Sequence, residues 1–241
     1  MLRAFLLVYP FLVVYVMLGT LIFVPLTWLI RDIRPIYWVA RTGVRIALLL
    51  SGVRVKLVNL EYAFQHPRSV FLSNHVSNIE PAALFMVLPR ITIVLKKELG
   101  RIPLLGYVMK LGGFIYVDRM NRDSRRLALE ASVDALKKGI SLMIFPEGTR
   151  SLDGGLLPFR PGPFTIAIEA QAPVVPVTVH GTRELMPKGQ GYMRPGKTSL
   201  VFHPPILTEG LTSQDRAALM RQVREVMEKG MDRSHLVSHS R

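Results

Sequence analysis

Ser69-Val70-Phe71-Leu72-Ser73-Asn74-His75-Val76-Ser77-Asn78-Ile79-Glu80-Pro81 decides how the chain is read. A short β-like run, Ser69–Leu72, leads through polar residues into a helix-like stretch, Pro81–Leu88. Proline is accepted in the first turn of a helix and not in its interior, so Pro81 sets a break just before it. His75 and Glu80 are five residues apart, about 140° around a regular helix, and would not share a face. They meet only if His75 lies in the turn and Glu80 in the first helical turn. A carboxylate on one imidazole nitrogen fixes the tautomer and stabilises the imidazolium, leaving the other nitrogen to take a proton from a hydroxyl. On spacing alone, a lone histidine capping a helix is the better explanation.

Outward from this stretch the same alternation repeats. Val53–Leu60, Ile91–Leu95, Phe114–Val117, Leu142–Phe145, Val174–Val179 and Ser199–Phe202 read as strands. Pro103–Lys110, Ser124–Lys138, Phe164–Glu169 and Thr212–Lys229 read as helices, with Asp123 or Ser124 and then Ser213 as caps and Gly139 as a stop. The pattern predicts an α/β fold, a mixed and mostly parallel sheet flanked by helices. In such sheets ligands gather beyond the carboxyl ends of the strands. Those ends carry His75, then Lys96-Lys97, then Asp118-Arg119, then Phe145-Pro146-Glu147-Gly148-Thr149-Arg150-Ser151. Four strand ends thus supply His, Lys, Arg and Arg, as expected where a sheet edge faces an anionic substrate. Gly148 allows a tight backbone and Arg150 offers a planar fork suited to phosphate. A plain turn accounts for an isolated Glu-Gly-Thr-Arg as well.

The amino-terminal part differs sharply. From Ala4 to Ile30, 27 residues carry no Lys, Arg, Asp or Glu. As one helix they would reach about 40 Å, enough for a hydrocarbon core of about 30 Å. Pro10 and Pro25 bracket Phe11–Val24, which alone reaches about 21 Å, so a tilted span and a kinked segment dipping into one leaflet both stay open. No small-residue cleavage site follows, which favours a retained anchor over a cleaved signal. Arg31, Arg34, Arg41, Arg45, Arg54 and Lys56 against Asp32 place the following domain on the cytoplasmic side, here expected to be that of a bacterial inner membrane. Residues 35–50 read as a second helix carrying Arg41 and Arg45, either interfacial or an ordinary surface helix of the domain. The expected organisation is therefore a membrane-anchoring helical segment at 1–50, a catalytic domain at 51–230 and a disordered basic tail at 231–241.

Composition bounds the rest. The chain has 241 residues, a formal charge of +14 and a mean hydropathy of +0.29. A basic and apolar chain suits an anionic membrane or a phosphorylated substrate and argues against nucleic acid as a partner. With no cysteine, disulfides, thiolate metal sites and a Cys nucleophile are excluded. There is no P-loop, no dinucleotide-binding glycine motif and no G-x-S-x-G elbow. His235 and His239 have metal-ligand spacing but lack a third ligand.

Four blocks in order, Asn74–Glu80, Gly113–Arg119, Phe145–Ser151 and Val174-Val175-Pro176-Val177, resemble the glycerolipid acyltransferases of the 1-acyl-glycerol-3-phosphate acyltransferase type. That family has a His-x4-Asp motif, then G-x-x-x-V-D-R, then F-P-E-G-T-R-S, then a Val-Pro-Val block. Phe159-Arg160-Pro161-Gly162 looks like the family's basic segment after the third block. The resemblance covers about residues 50 to 210, and Glu80 stands where the family has aspartate, one methylene longer. It implies transfer of a fatty acyl group from acyl-CoA or acyl-carrier protein to the free hydroxyl of lysophosphatidic acid, giving phosphatidic acid. His75 would be the general base and Glu80 its orienting partner. Arg150 would clamp the acceptor phosphate, helped by Arg119 and by Lys96 or Lys97, with Glu147, Gly148 and Thr149 in the same substrate-binding pocket. The resemblance calls for no metal and no organic cofactor. Another glycerophosphate, lysolipid or amino-acid lipid as acceptor, or a basic lipid-binding module without turnover, are the alternatives.

Overall fold

The computed structural model describes residues 2–88 and 90–232. A π-helical turn, Ala4–Val8, runs into α1 (Tyr9–Ile30), and α2 (Arg34–Ser51) follows after a three-residue turn. Then come β1 (Val53–Val58), β2 (Val70–Ser73), α3 (Ile79–Val87), β3 (Ile91–Lys96), α4 (Leu105–Leu111), β4 (Ile115–Val117), α5 (Arg122–Lys137) and β5 (Ser141–Ile144). The chain continues through α6 (Gly162–Glu169), β6 (Val174–His180), α7 (Thr182–Leu185), β7 (Gly196–Phe202) and α8 (Arg216–Met231). The seven strands lie in the order β1-β7-β6-β2-β5-β3-β4. All neighbours are parallel except β6 and β7, so the sheet is mixed and mostly parallel as expected.

Strand alternation sorts the core into two layers. Phe71, Met143, Val175, Val177 and Val179 face α2 and α3, where Leu48, Ala83, Leu84 and Leu88 meet them. Val70, Leu72, Leu142, Ile144 and Val174 face the other way, onto Leu136 of α5, Phe164 of α6 and Val223 and Met227 of α8. Such central strands, covered on both faces, read as unbroken apolar runs because neither face meets water. Fully burying each of the large side chains contributes about 1.5–3 kcal/mol.

Several sequence expectations change at helix ends. Asn121, not Asp123 or Ser124, caps α5: its Oδ1 accepts from the Ser124 N–H at 2.8 Å. Ser124 Oγ instead accepts from the Asp118 N–H at 2.9 Å, tying the helix to the end of β4. Thr212, not Ser213, forms the cap before α8, in a reciprocal box with Asp215. The helix continues to Met231. Residues 233–241, with His235 and His239, lie outside the described residues.

Pro10 and Pro25 do not break the amino-terminal helix. The wide turn just before Pro10, closed by the Tyr9 N–H on the Ala4 carbonyl, gives the proline ring the room that an α-helical turn would deny it. The helix turns back at Arg31 and packs along α2. Gly43 lies under the Tyr15 ring, so close that a Cβ would sit 2.5 Å from Cε1. Tyr15 also donates to the Val39 carbonyl at 2.9 Å, and Tyr9 donates to the Gly191 carbonyl. α2 in turn buries Ile36, Tyr37, Ala47 and Leu48 against the domain. Its opposite partner α1 leaves Val13, Val14, Met17, Leu18, Leu21 and Ile22 exposed. Ala4–Ile30 is long and apolar enough to cross a membrane by length and composition.

Candidate active site

β2 ends at Ser73, and the next side chain prolongs its hydrogen bonding. Asn74 Nδ2 donates to the Val179 carbonyl at 3.0 Å and Asn74 Oδ1 accepts from the Val179 N–H at 2.7 Å. An amide side chain imitates a backbone there and points the following residue out of the sheet. That residue is His75, in the turn before α3, and Glu80 lies in the first turn of α3 with Pro81 after it. His75 Nδ1 is 2.7 Å from Glu80 Oε2.

Glu80 is 0% exposed, and every contact it makes is with a donor. Oε1 accepts from the Ser77 N–H at 2.8 Å and the Thr182 hydroxyl at 2.5 Å. The Val76 N–H is shared between the two oxygens at 3.2 and 3.1 Å. A carboxylate so surrounded acts as acceptor only, which assigns the His75 proton to Nδ1 and leaves Nε2 with a lone pair. The glutamate side chain carries the carboxylate as far as Thr182. Thr182 was not singled out from the sequence. It follows β6 through Gly181, whose φ of +81° and close approach to the Lys197 carbonyl admit only glycine. A hydroxyl placed just past the end of a predicted strand was the available signal.

The third motif holds His75 from behind. The His75 ring stacks on Phe145, centroids 4.0 Å apart. The Ser151 N–H donates to the His75 carbonyl at 2.8 Å. Glu147, 2% exposed, accepts from the His75 N–H at 2.8 Å through Oε1 and from the Leu157 N–H at 3.0 Å through Oε2. Burial pushes the Glu147 carboxyl above the usual carboxylate range, and the two backbone N–H groups pull it back in part. Its carboxylate thus underpins the His75 turn and does not face the cationic surface.

That surface forms at the neighbouring strand ends. Arg119 donates to the Gly148 carbonyl, and the Arg160 side chain covers Gly148, which holds φ at +73°. Burial draws the Arg119 guanidinium downward; Glu98 opposes this and Arg160 adds to it. β3 and β4 pair in register from Lys96 to Val117, which sets Lys96 and Lys97 beside Asp118 and Arg119. Lys96 lies 3.3 Å from Glu98 and Lys97 lies 3.6 Å from Asp118, both exposed pairs. Thr149 is exposed. Arg150 is half-buried, its carbonyl accepts from Lys188 Nζ at 3.1 Å, and its guanidinium has no hydrogen-bond or ion-pair partner among the described residues. The structure therefore joins His75, Glu80, Glu147 and Gly148 in one hydrogen-bonded unit that Arg119 enters directly. Lys96, Lys97, Thr149 and Arg150 stand along its rim. Among the described residues no group of three His, Asp or Glu side chains has the geometry to hold a metal ion.

Comparison with known proteins bears on the fold and the family. The family model described as Acyltransferase matches residues 54–180, from β1 through β6. The chain is 32% identical over 184 residues to mouse 1-acyl-sn-glycerol-3-phosphate acyltransferase alpha, a match covering 75% of this chain and 65% of that one. It is 38% identical over 138 residues to a chloroplastic 1-acyl-sn-glycerol-3-phosphate acyltransferase of Brassica napus, covering 57% of this chain and 40% of the relative. The crystal structure of the 1-acyl-sn-glycerophosphate acyltransferase PlsC from Thermotoga maritima superposes with a TM-score of 0.82 at 26% identity, covering 94% of this chain and 92% of that one. The chain thus spans between two fifths and two thirds of the length of these two curated relatives. With a family model that matches more than half of its length, the chain belongs to the acyltransferase family.

Proposed function

We propose that the chain transfers a fatty acyl group from a thioester, acyl-CoA or acyl-carrier protein, to the free hydroxyl of 1-acyl-glycerol 3-phosphate. The observation that carries this reading is the 2.7 Å contact between His75 Nδ1 and a fully buried Glu80. It presets Nε2 as a base next to a cluster of cations.

In the proposed reaction Nε2 takes the proton of the acceptor hydroxyl as its oxygen attacks the thioester carbonyl. The tetrahedral intermediate then expels the thiolate, the carbon–sulfur bond breaks, and the imidazolium returns its proton to sulfur. The products are phosphatidic acid and the free thiol. Glu80 keeps the ring oriented and offsets its positive charge in between. No acyl-enzyme is required, in keeping with a chain that lacks cysteine and a serine elbow. Arg150, Arg119, Lys96 and Lys97 are assigned to the acceptor phosphate, and Arg160 joins them by its place over Gly148. The alternative acceptors differ in what surrounds that phosphate and in the chains they carry.

The exposed apolar face of α1 would hold this site at the bilayer surface. Because α1 is fastened to α2 at Gly43, Val39 and Tyr15, and α2 to the core, an upright span would carry Arg41 and Arg45 into hydrocarbon. We therefore favour immersion in the cytoplasmic leaflet alone. The test is direct. Purified protein given a labelled acyl thioester and lysophosphatidic acid should form phosphatidic acid, and His75→Ala should lower kcat by about 10²–10⁴-fold with the fold intact. Near-parental turnover in that variant would remove the base assignment.

A further inference from the structure

At the end of the sheet away from His75, α2 and the segment entering β3 frame an open cavity of about 340 Å³. Its wall carries Arg34, Arg41, Arg45 and Arg90 together with Tyr37 and Trp38. Tyr37 closes the floor, donating to the Ile91 carbonyl at 2.6 Å, with the Gly112 carbonyl at 3.0 Å. Ile91 opens β3 and Lys96 closes it. One strand length of about 17 Å therefore separates this cavity from the cationic rim of the active site.

The four guanidiniums are held together with little to neutralise them. Arg41 is fixed by the last carbonyls of α3, through Nε to Met86 at 3.1 Å and Nη2 to Val87 at 3.2 Å. Arg34 pairs with Asp32 at 2.5 Å, a carboxylate that also feels Arg90. Arg45 and Arg90 are exposed and make no hydrogen bond or ion pair with another described residue. One carboxylate against four guanidiniums leaves mutual repulsion that an anion would relieve.

The surroundings say where that anion comes from. Trp38, 65% exposed, stands on the cavity wall. Trp28, Leu29 and Ile30 are exposed at the end of α1, separated from Arg34 by a three-residue turn. Exposed tryptophans with aliphatic neighbours belong at the boundary between headgroups and acyl chains. A soluble phosphate would have no use for such a rim.

We propose that this cavity is a second anion site, which seats the phosphate of an anionic phospholipid while Trp28, Leu29, Ile30 and Trp38 enter the acyl boundary beside it. It does not depend on the acyl-transfer reading. Guanidinium forks, not charge alone, hold the phosphate, with Arg45 and Arg90 as the mobile jaws and Arg41 as the fixed one.

The chain has two tryptophans, so Trp28→Phe leaves Trp38 as its own reporter. The full chain carrying that change, in neutral detergent, is titrated with phosphatidylglycerol, phosphatidylcholine or inorganic phosphate while Trp38 emission is followed. Phosphatidylglycerol should give a saturable change and phosphatidylcholine none at the same concentration. Arg45→Lys with Arg90→Lys keeps the charge, loses the forks and should weaken phosphatidylglycerol binding about tenfold. Arg221→Lys on α8 should leave it unchanged, and matching melting midpoints would show all variants folded. Undiminished binding by the lysine pair would mean diffuse attraction and overturn the site. Saturation by inorganic phosphate at concentrations matching the lipid would overturn the lipid assignment, as would a Trp38 signal indifferent to phosphatidylglycerol.

Discussion

The His75 turn and the Arg150 rim lie side by side and are built on opposite terms. In the turn, four donors converge on the Glu80 carboxylate, and His75 is gripped by Glu147, Ser151 and Phe145. Along the rim, Lys96 and Lys97 hold only exposed, loosely paired contacts, and Arg150 is uncommitted. A base must be positioned before substrate arrives, because its reach is a single hydrogen bond. A phosphate clamp gains by staying open, since cations already paired internally would have to be released first. Damage to the turn should therefore appear in kcat, and damage to the rim in KM.

The largest effect should follow Glu80→Gln. The amide keeps the shape and removes the acceptor-only character that fixes the His75 tautomer, so kcat should drop by about 10²–10⁴-fold with little change in KM. An equal rise in KM would blur the division between turn and rim. Next is Arg150→Ala, expected to raise KM for the phosphorylated acceptor about 10- to 100-fold while kcat changes far less. Steady-state kinetics against acceptor concentration separates the two, and a pure kcat defect would move Arg150 into the turn's half of the comparison. Thr182→Val removes one hydrogen bond to a buried carboxylate and should cost about tenfold in kcat, with Thr182→Ser restoring most of it. A KM effect instead would mean that Thr182 meets substrate and does not position Glu80.

The smallest effect concerns Glu147 and pH. Its carboxyl is raised by burial, so the folded chain keeps this proton to higher pH than the unfolded one. That term favours the folded state below the ordinary carboxylate range and is lost as pH rises through the raised value. As pH rises upward from the ordinary carboxylate range, the melting midpoint of the parent should thus fall relative to Glu147→Gln, which has no such proton to lose. Parallel midpoint curves would contradict the shift.

Much of the fold was legible because its signals are local. Apolar runs bounded by polar turns marked the strands, and Pro81 placed the break that lets His75 and Glu80 meet. The cap of α5 was misread because Asn121, Asp123 and Ser124 are all competent, and only the path out of β4 decides between them. Pro10 left a continuous and a kinked helix both open for a similar reason, since the wide turn that accommodates it has no residue signature. Thr182 and Asn74 were missed as partners because their contacts cross from β2 to β6 and its outlet, a neighbour relation that strand order sets and residue spacing does not. The proposed roles of Lys96, Lys97 and Thr149 rest on their position beyond strand ends and on the family likeness.

Gly43 carries a consequence of its own. The Tyr15 ring occupies the space where any other residue would put a carbon atom, so the separation between the greasy rod and the catalytic body is set by a lone hydrogen. Even an alanine would pry the rod outward. On the proposed membrane placement, the height at which His75 rides above the lipid tails would then change without any alteration to the proposed reacting groups.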